Sequence, residues 1–273
     1  MERVEILRAY QLFKKEMRNA ECIESPHIIR ELTDTYYLIQ KMRIRQGNQV
    51  MASQEEDIGE WMRLYLQMFE TMEQVAASAL RVYAGSTPLG RWCMANIGIG
   101  PILTAGLLAH IEIEQAPSVL NIWRFAGMDP TCVWEKGQKR PWNAALRRLG
   151  WLIGESFVKV SGNPKSLYGR LYLERKAYEL ACNEEGRYES QAKERLARNP
   201  RSRESGAWKK GKLSQGHIHS RAKRWTVKMF LSHFHSAAMV LKLGKEPPVP
   251  YAIAHLGHVH YVAPEVDWNL YRE

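Results

Sequence analysis

The sequence lacks most of what marks a secreted, membrane-spanning or disulfide-stapled protein. Its 273 residues hold only four cysteines, at 22, 93, 132 and 182, and no Cys-x-x-Cys. That spacing excludes a disulfide framework and a cysteine-based zinc site, and points to a reducing, cytoplasmic compartment. No apolar run approaches the ~18 residues that span a bilayer, so no membrane partner is expected. The opening stretch MERVEILRAYQLFKKEM scatters charge where a signal peptide needs an apolar region. Strand-like alternation is scarce, no internal repeat is visible and no His-Glu-x-x-His occurs. Hydrophobic residues are 45% and charged residues 25%, which excludes wholesale disorder and leaves enough apolar material for a real core.

Acidic residues are scarce in one region in particular. Between Pro130 and Lys228 there are 23 Lys or Arg against 9 Asp or Glu, although the whole chain carries a net charge of only +10. The rest of the chain is therefore slightly acidic. Such asymmetry points to a polyanion partner.

The first ~85 residues read as helical. Pro26 suits a first helical turn, and Ile28, Leu32, Tyr36, Ile39 and Met42 follow at steps of three and four. Gly47-Asn48 breaks the pattern. Ser53 then precedes Glu55, Glu56 and Asp57, an acidic first turn that suits the helix dipole. Ile58, Trp61, Tyr65, Met68, Met72, Val75 and Ala79 form a second run at heptad spacing. The two runs fit either a helical hairpin or a coiled-coil homodimer. Ala84–Pro88 closes this region. Residues 90–180 read as short helices with tight turns, among them an amphipathic helix over Trp142–Val160. Within it Leu146, Leu149, Trp151, Ile153 and Phe157 are read as core. Residues 181–216 read as a basic loop insert, with Trp208 exposed beside Lys209 and Lys210 to stack on bases. Residues 217–273 read as a helix followed by a histidine-rich tail. The overall expectation is a mostly α protein.

The segment Asn96-Ile97-Gly98-Ile99-Gly100-Pro101-Ile102-Leu103-Thr104-Ala105 reads as a helix-hairpin-helix. Two glycines one residue apart allow a tight hairpin. Pro101 opens the second helix, and Thr104 and Ala105 are small enough for close helix approach. Backbone N–H groups at such a helix start can hold a DNA phosphate, which gives affinity without base readout. Gly98, Ile99, Gly100 and Thr104 are thus candidate DNA-binding residues. Lys136, Lys139, Arg140, Arg147, Arg148, Trp208, Lys209 and Lys210 join them from the basic stretch.

GIGPILTAGLLAHI resembles the hairpin in the C-terminal domain of insertion-sequence transposases that carry a RuvC-like DEDD N-terminal domain. The similarity continues in order through Phe125–Pro130, Asn143–Leu149, Asn163-Pro164 with Tyr168–Leu171 and Lys176, and Arg221–Lys245. It covers roughly residues 90–178 and 221–250. The resemblance implies a DNA-binding domain used in transposition or recombination. Because that family pairs with guide RNA, structured RNA is an alternative partner. Two departures stand out. The first ~85 residues lack the strand-rich, Asp-bearing pattern that a RuvC-like fold needs to hold metal ions. The family's nucleophilic serine is missing from Thr131–Lys139, where only Thr131 and Cys132 offer nucleophilic atoms. DNA binding is therefore expected, in a cytoplasmic, nucleoid-associated protein, with no cofactor and no strand cleavage of its own. The alternative is an active recombinase with a changed nucleophile or a partner nuclease.

Seven of nine histidines fall in the last 57 residues. On an extended tail His258 and His260 share a face, with His255 nearby, and are candidate metal ligands. The expectation is packed or phosphate-contacting histidines and no metal.

Overall fold

The computed structural model describes residues 25–53, 59–247 and 268–271, together with residues 8, 11, 12 and 15. Among them the protein is mostly α-helical, with no strand. No helix among them is long and apolar enough to cross a membrane. The chain divides into two compact units. One holds Met1–Met94 and Gly100–Glu112, the other Ala95–Ile99 and Ile113–Glu273.

In the first unit, α1 (Pro26–Ala52) runs antiparallel to α2 (Glu60–Gly85). Pro26 opens α1, where its missing N–H costs nothing. The break expected at Gly47-Asn48 does not occur: α1 runs through both residues, since one helical glycine costs only about 1 kcal/mol. Ser53 ends α1, bonding back to the carbonyl of Gln49, and the acidic turn expected after it lies outside the described residues. Glu73 of α2 joins the pair by accepting from Tyr36 at 3.2 Å, Gln40 at 3.0 Å and Arg43. Toward the other end, Ile29 packs on Leu80 and Ala84, and Ala105 and Ala109 of α4 (Pro101–His110) complete that core. The face α2 turns inward is thus Glu73, Ala76, Leu80 and Ala84. Trp61, Tyr65 and Met72 of the heptad stripe are exposed, and Ile58 lies outside the described residues. Apolar spacing alone does not reveal a polar clasp such as that of Glu73. Gly90 of α3 (Pro88–Ala95) lies so close to the end of α2 that a Cβ there would overlap the carbonyl of Ala84.

The second unit is built around α6 (Ala144–Lys159), α7 (Leu167–Glu184) and α10 (Gln215–Leu241). Each has a side-chain cap: Asn143 accepts from Leu146 N–H at 2.9 Å, Ser166 from Gly169 at 3.1 Å and Ser214 from His217 at 3.1 Å. Such caps contribute about 1 kcal/mol each. Phe157, Tyr168 and Phe230 bring the three helices together, with ring centroids 4.7 to 5.6 Å apart. The helix α5 (Val119–Phe125) is anchored by Trp123, whose indole N–H donates to Lys228 O at 3.2 Å.

The stretch expected as a basic loop, 181–216, is folded. It contains the last residues of α7, then α8 (Glu189–Arg198) and the single turn α9 (Ser205–Trp208). Cys182, Tyr188, Ala192, Trp208, Leu213 and Ile218 form its own small core. Asn183 latches it by bonding both the N–H and the carbonyl of Leu213. Its few apolar residues are spaced irregularly, so its composition resembles that of a loop even though the segment packs.

Candidate nucleic-acid interface

Gly154 brings α6 and α10 unusually close, and Gly150 makes room on the same face of α6 for Met128. A Cβ on Gly154 would lie 2.5 Å from Lys223 Cγ, and one on Gly150 would lie 2.3 Å from the end of Met128. Their i, i+4 spacing clears one stripe of α6, which receives Lys223 of α10 at Gly154 and Met128 at Gly150. The same crossing gathers Arg147 and Trp151 from α6 with Ser220, Lys223 and Arg224 from α10. They surround a cavity of about 190 Å³, with Gly127, Met128, Gly150 and Val227 as its remaining lining.

The charges here are not balanced. Glu179, 1% exposed, accepts from Arg175 at 2.6 Å, Arg221 at 2.7 Å and Tyr188 at 2.6 Å. Burial raises the Glu179 carboxyl, but these three hydrogen bonds outweigh it and hold it below the usual range. Lys223 is committed to Glu155. Arg147 rests over Trp142 at 4.5 Å and Arg140 over Trp134 at 5.4 Å, while the two indoles meet edge to face. Neither Arg147 nor Arg224 has a carboxylate partner among the described residues. Packing around Arg224, then the charges of Arg221, Arg195 and Arg147, pull its guanidinium below the usual range, with Glu179 acting against them. Such crowding of like charge is relieved when an anion binds.

The structure disperses some of the residues singled out by sequence and gathers others. Gly98 sits in a turn at φ 102°, and its carbonyl accepts from Ser156 of α6. Ile99 is buried and its N–H bonds Asn96 O at 2.9 Å. Gly100 caps α4 in an extended conformation with open space where a Cβ would stand. Thr104, expected near phosphate, is fully buried in the first unit. Trp208, expected as an exposed stacker, is 4% exposed in the small core, because the surrounding segment folds over it. Trp151, expected in the core, is 56% exposed, because it lies off the stripe of Leu146, Leu149, Ile153 and Phe157. Lys136, Lys139, Arg140, Arg147, Arg148, Lys209 and Lys210 are exposed. Thr131 donates its hydroxyl to Asp129 at 2.7 Å, and Cys132 is half-buried beside it. His255, His258 and His260 lie outside the described residues. Among those described, no cluster of three His, Cys, Asp or Glu is placed to hold a metal ion.

Sequence reasoning missed Ser220 and Arg224. Their i, i+4 spacing, matched by Arg147 and Trp151 on α6, was the available signal. No protein-family model, curated protein or solved structure matches the chain.

Proposed function

We propose that the protein binds DNA, duplex or branched, in the setting of transposition or recombination, through phosphates and not base edges. The observation that carries this reading is the Arg147–Arg224 pair: two guanidiniums without carboxylate partners among the described residues, on the most basic stretch of the chain. Lys136, Lys139, Arg140 and Arg148 extend the positive surface along the same unit. In the first unit, and as a contact point of its own, the α4 start offers the N–H groups of Ile102 and Leu103, for which Gly100 supplies no side-chain cap. In this reading the 96–105 segment acts as a helix-hairpin-helix and the protein is nucleoid-associated. Fluorescence anisotropy with a labelled duplex over a salt series tests it. Affinity falls with a log–log slope of several units if phosphate contacts dominate, and a flat response refutes the reading. Titration with structured RNA in competition with duplex DNA decides between the two polymers.

A second reading, strand transfer with a changed nucleophile, has one observation in its favour. The Thr131 hydroxyl donates to the Asp129 carboxylate, a group able to accept its proton. The homodimer belongs to this proposal as well: the exposed Trp61, Tyr65 and Met72 stripe is the surface a second copy would cover. Sedimentation equilibrium of the wild type against Trp61→Glu tests it.

A further inference from the structure

The pocket between α6 and α10 has properties that a surface for smooth duplex DNA does not need. It is concave, and at about 190 Å³ it is smaller than the ~300–1,000 Å³ clefts that enclose whole small-molecule ligands. It therefore takes part of a ligand. Its lining combines two chemistries. One is that of Arg147 and Arg224, the guanidiniums without carboxylate partners among the described residues. The other is that of Trp151, a large aromatic left 56% exposed, with the Lys223 ammonium 5.2 Å from its ring centroid. Ser220 adds a hydroxyl to the lining, and Gly150 has no side chain of its own there, its Cβ position being covered by Met128. Guanidiniums suit phosphate, an exposed indole suits the face of a base, and a hydroxyl can serve a base edge as donor or acceptor.

We propose that this pocket seats a single nucleotide turned out of a DNA strand, with its phosphate on Arg147 and Arg224 and its base against Trp151. This rests on the DNA-binding reading above and makes it more specific. A base stacked inside a continuous duplex does not reach a concave site, and unstacking costs least where a base is already unpaired. The favoured substrate is therefore DNA with an unpaired nucleotide, as at a bulge, a junction or a strand end.

The test uses the full chain and two labelled duplexes, identical except that one carries a single unpaired 2-aminopurine bulge. Anisotropy should show the bulged duplex bound about tenfold more tightly, within the range for one base stacking on an aromatic side chain. The 2-aminopurine emission should change on binding. Trp151→Ala should bring the bulged duplex to the wild type's affinity for paired DNA and abolish the emission change, and Trp151→Phe should keep most of the preference. Equal affinity of the wild type for the two duplexes, or a preference that survives Trp151→Ala, overturns the pocket inference. If paired DNA still binds with a steep salt response in that case, the DNA-binding reading stands. No binding to either duplex overturns both. Free deoxyadenosine monophosphate offers the same phosphate and base. Its displacement of the bulged duplex at micromolar concentration would make a free nucleotide the ligand and overturn the DNA assignment, as would tighter binding of a bulged RNA.

Discussion

Arg221 of α10 donates to the Glu179 carboxylate of α7 at 2.7 Å, and that carboxylate is 1% exposed. Arg175 and Tyr188 complete its shell, so Glu179 ties α7, α10 and the folded insert together. Glu179→Gln would leave Arg175 and Arg221 around a neutral amide. The expected loss is about 3 kcal/mol, the lower end for a broken buried ion pair, since both arginines remain partly exposed. Thermal unfolding followed by circular dichroism should show it. The Glu179 carboxyl is held below its ordinary range, so its contribution is complete above that range and drains away as the pH falls through the lowered value. The gap between wild type and variant should therefore narrow in acid. DNA affinity should not fall, because the change removes a negative charge.

Arg147→Gln and Arg224→Gln should each weaken binding to any DNA sequence by a similar factor. Each should also reduce the log–log salt slope by about one. Neither removes an ion pair among the described residues, so unfolding temperatures should stay near wild type. A slope unchanged in both variants would place the phosphate contacts elsewhere.

Gly98 and Gly100 respond to different requirements, and valine at each separates fold from binding. Gly98 needs its φ of 102°, and a Cβ there would press on Phe157 and Val160 at 3.2 and 3.1 Å. Gly98→Val should destabilise the second unit by roughly 1–3 kcal/mol. Gly100 is extended and faces open space, so Gly100→Val should fold normally. If phosphate approaches the start of α4, Gly100→Val should lose several-fold in affinity with an unchanged circular dichroism spectrum. Unchanged affinity would make this turn purely structural.

His217 links binding to pH. Burial, then the charges of Arg195, Arg224 and Arg221, lower its pKa to about 4. An unfolded histidine titrates near 6.5, so the unfolded chain binds more protons between these values, and stability should fall as pH drops from about 6.5 toward 4. A phosphate on Arg224 offsets the positive field and raises the His217 pKa. DNA binding should therefore take up protons in that window, and affinity should rise as pH falls through it. His217→Gln should flatten this dependence in isothermal titration calorimetry across buffers of different ionisation enthalpy.

Incubation with supercoiled, linear and junction DNA, with Mg²⁺ or Mn²⁺, should yield neither nicks nor covalent adducts. Two-metal phosphoryl transfer needs carboxylates converging on one site, and no such cluster occurs among the described residues. An adduct on denaturing gels that Thr131→Ala or Cys132→Ala abolishes would instead establish strand transfer through that residue.

Helical content, the break near residue 86, the amphipathic stripe of α6 and the basic stretch of 130–228 were all legible in the chain. Each depends on neighbours within a turn or two, where the periodicity of apolar residues, a cap or a proline decides the outcome. What was not legible depends on groups brought together from distant positions. The stripe through Trp61, Tyr65 and Met72 was visible, but the choice of the Glu73 face for α1 rests on a polar clasp with Tyr36, Gln40 and Arg43. Trp208 and Trp151 exchanged their expected environments. The insert's sparse apolar residues meet where the chain folds back on itself, with Asn183 bonded to Leu213, and the α6 stripe leaves Trp151 just beyond its edge. The pairing of Arg147 with Arg224 spans 77 positions and depends on Gly154 admitting α10. The sequence by itself therefore determined where positive charge is abundant. Only the tertiary structure decided which arginines were left without a carboxylate, because neutralisation depends on distances of a few ångströms between residues far apart in the chain.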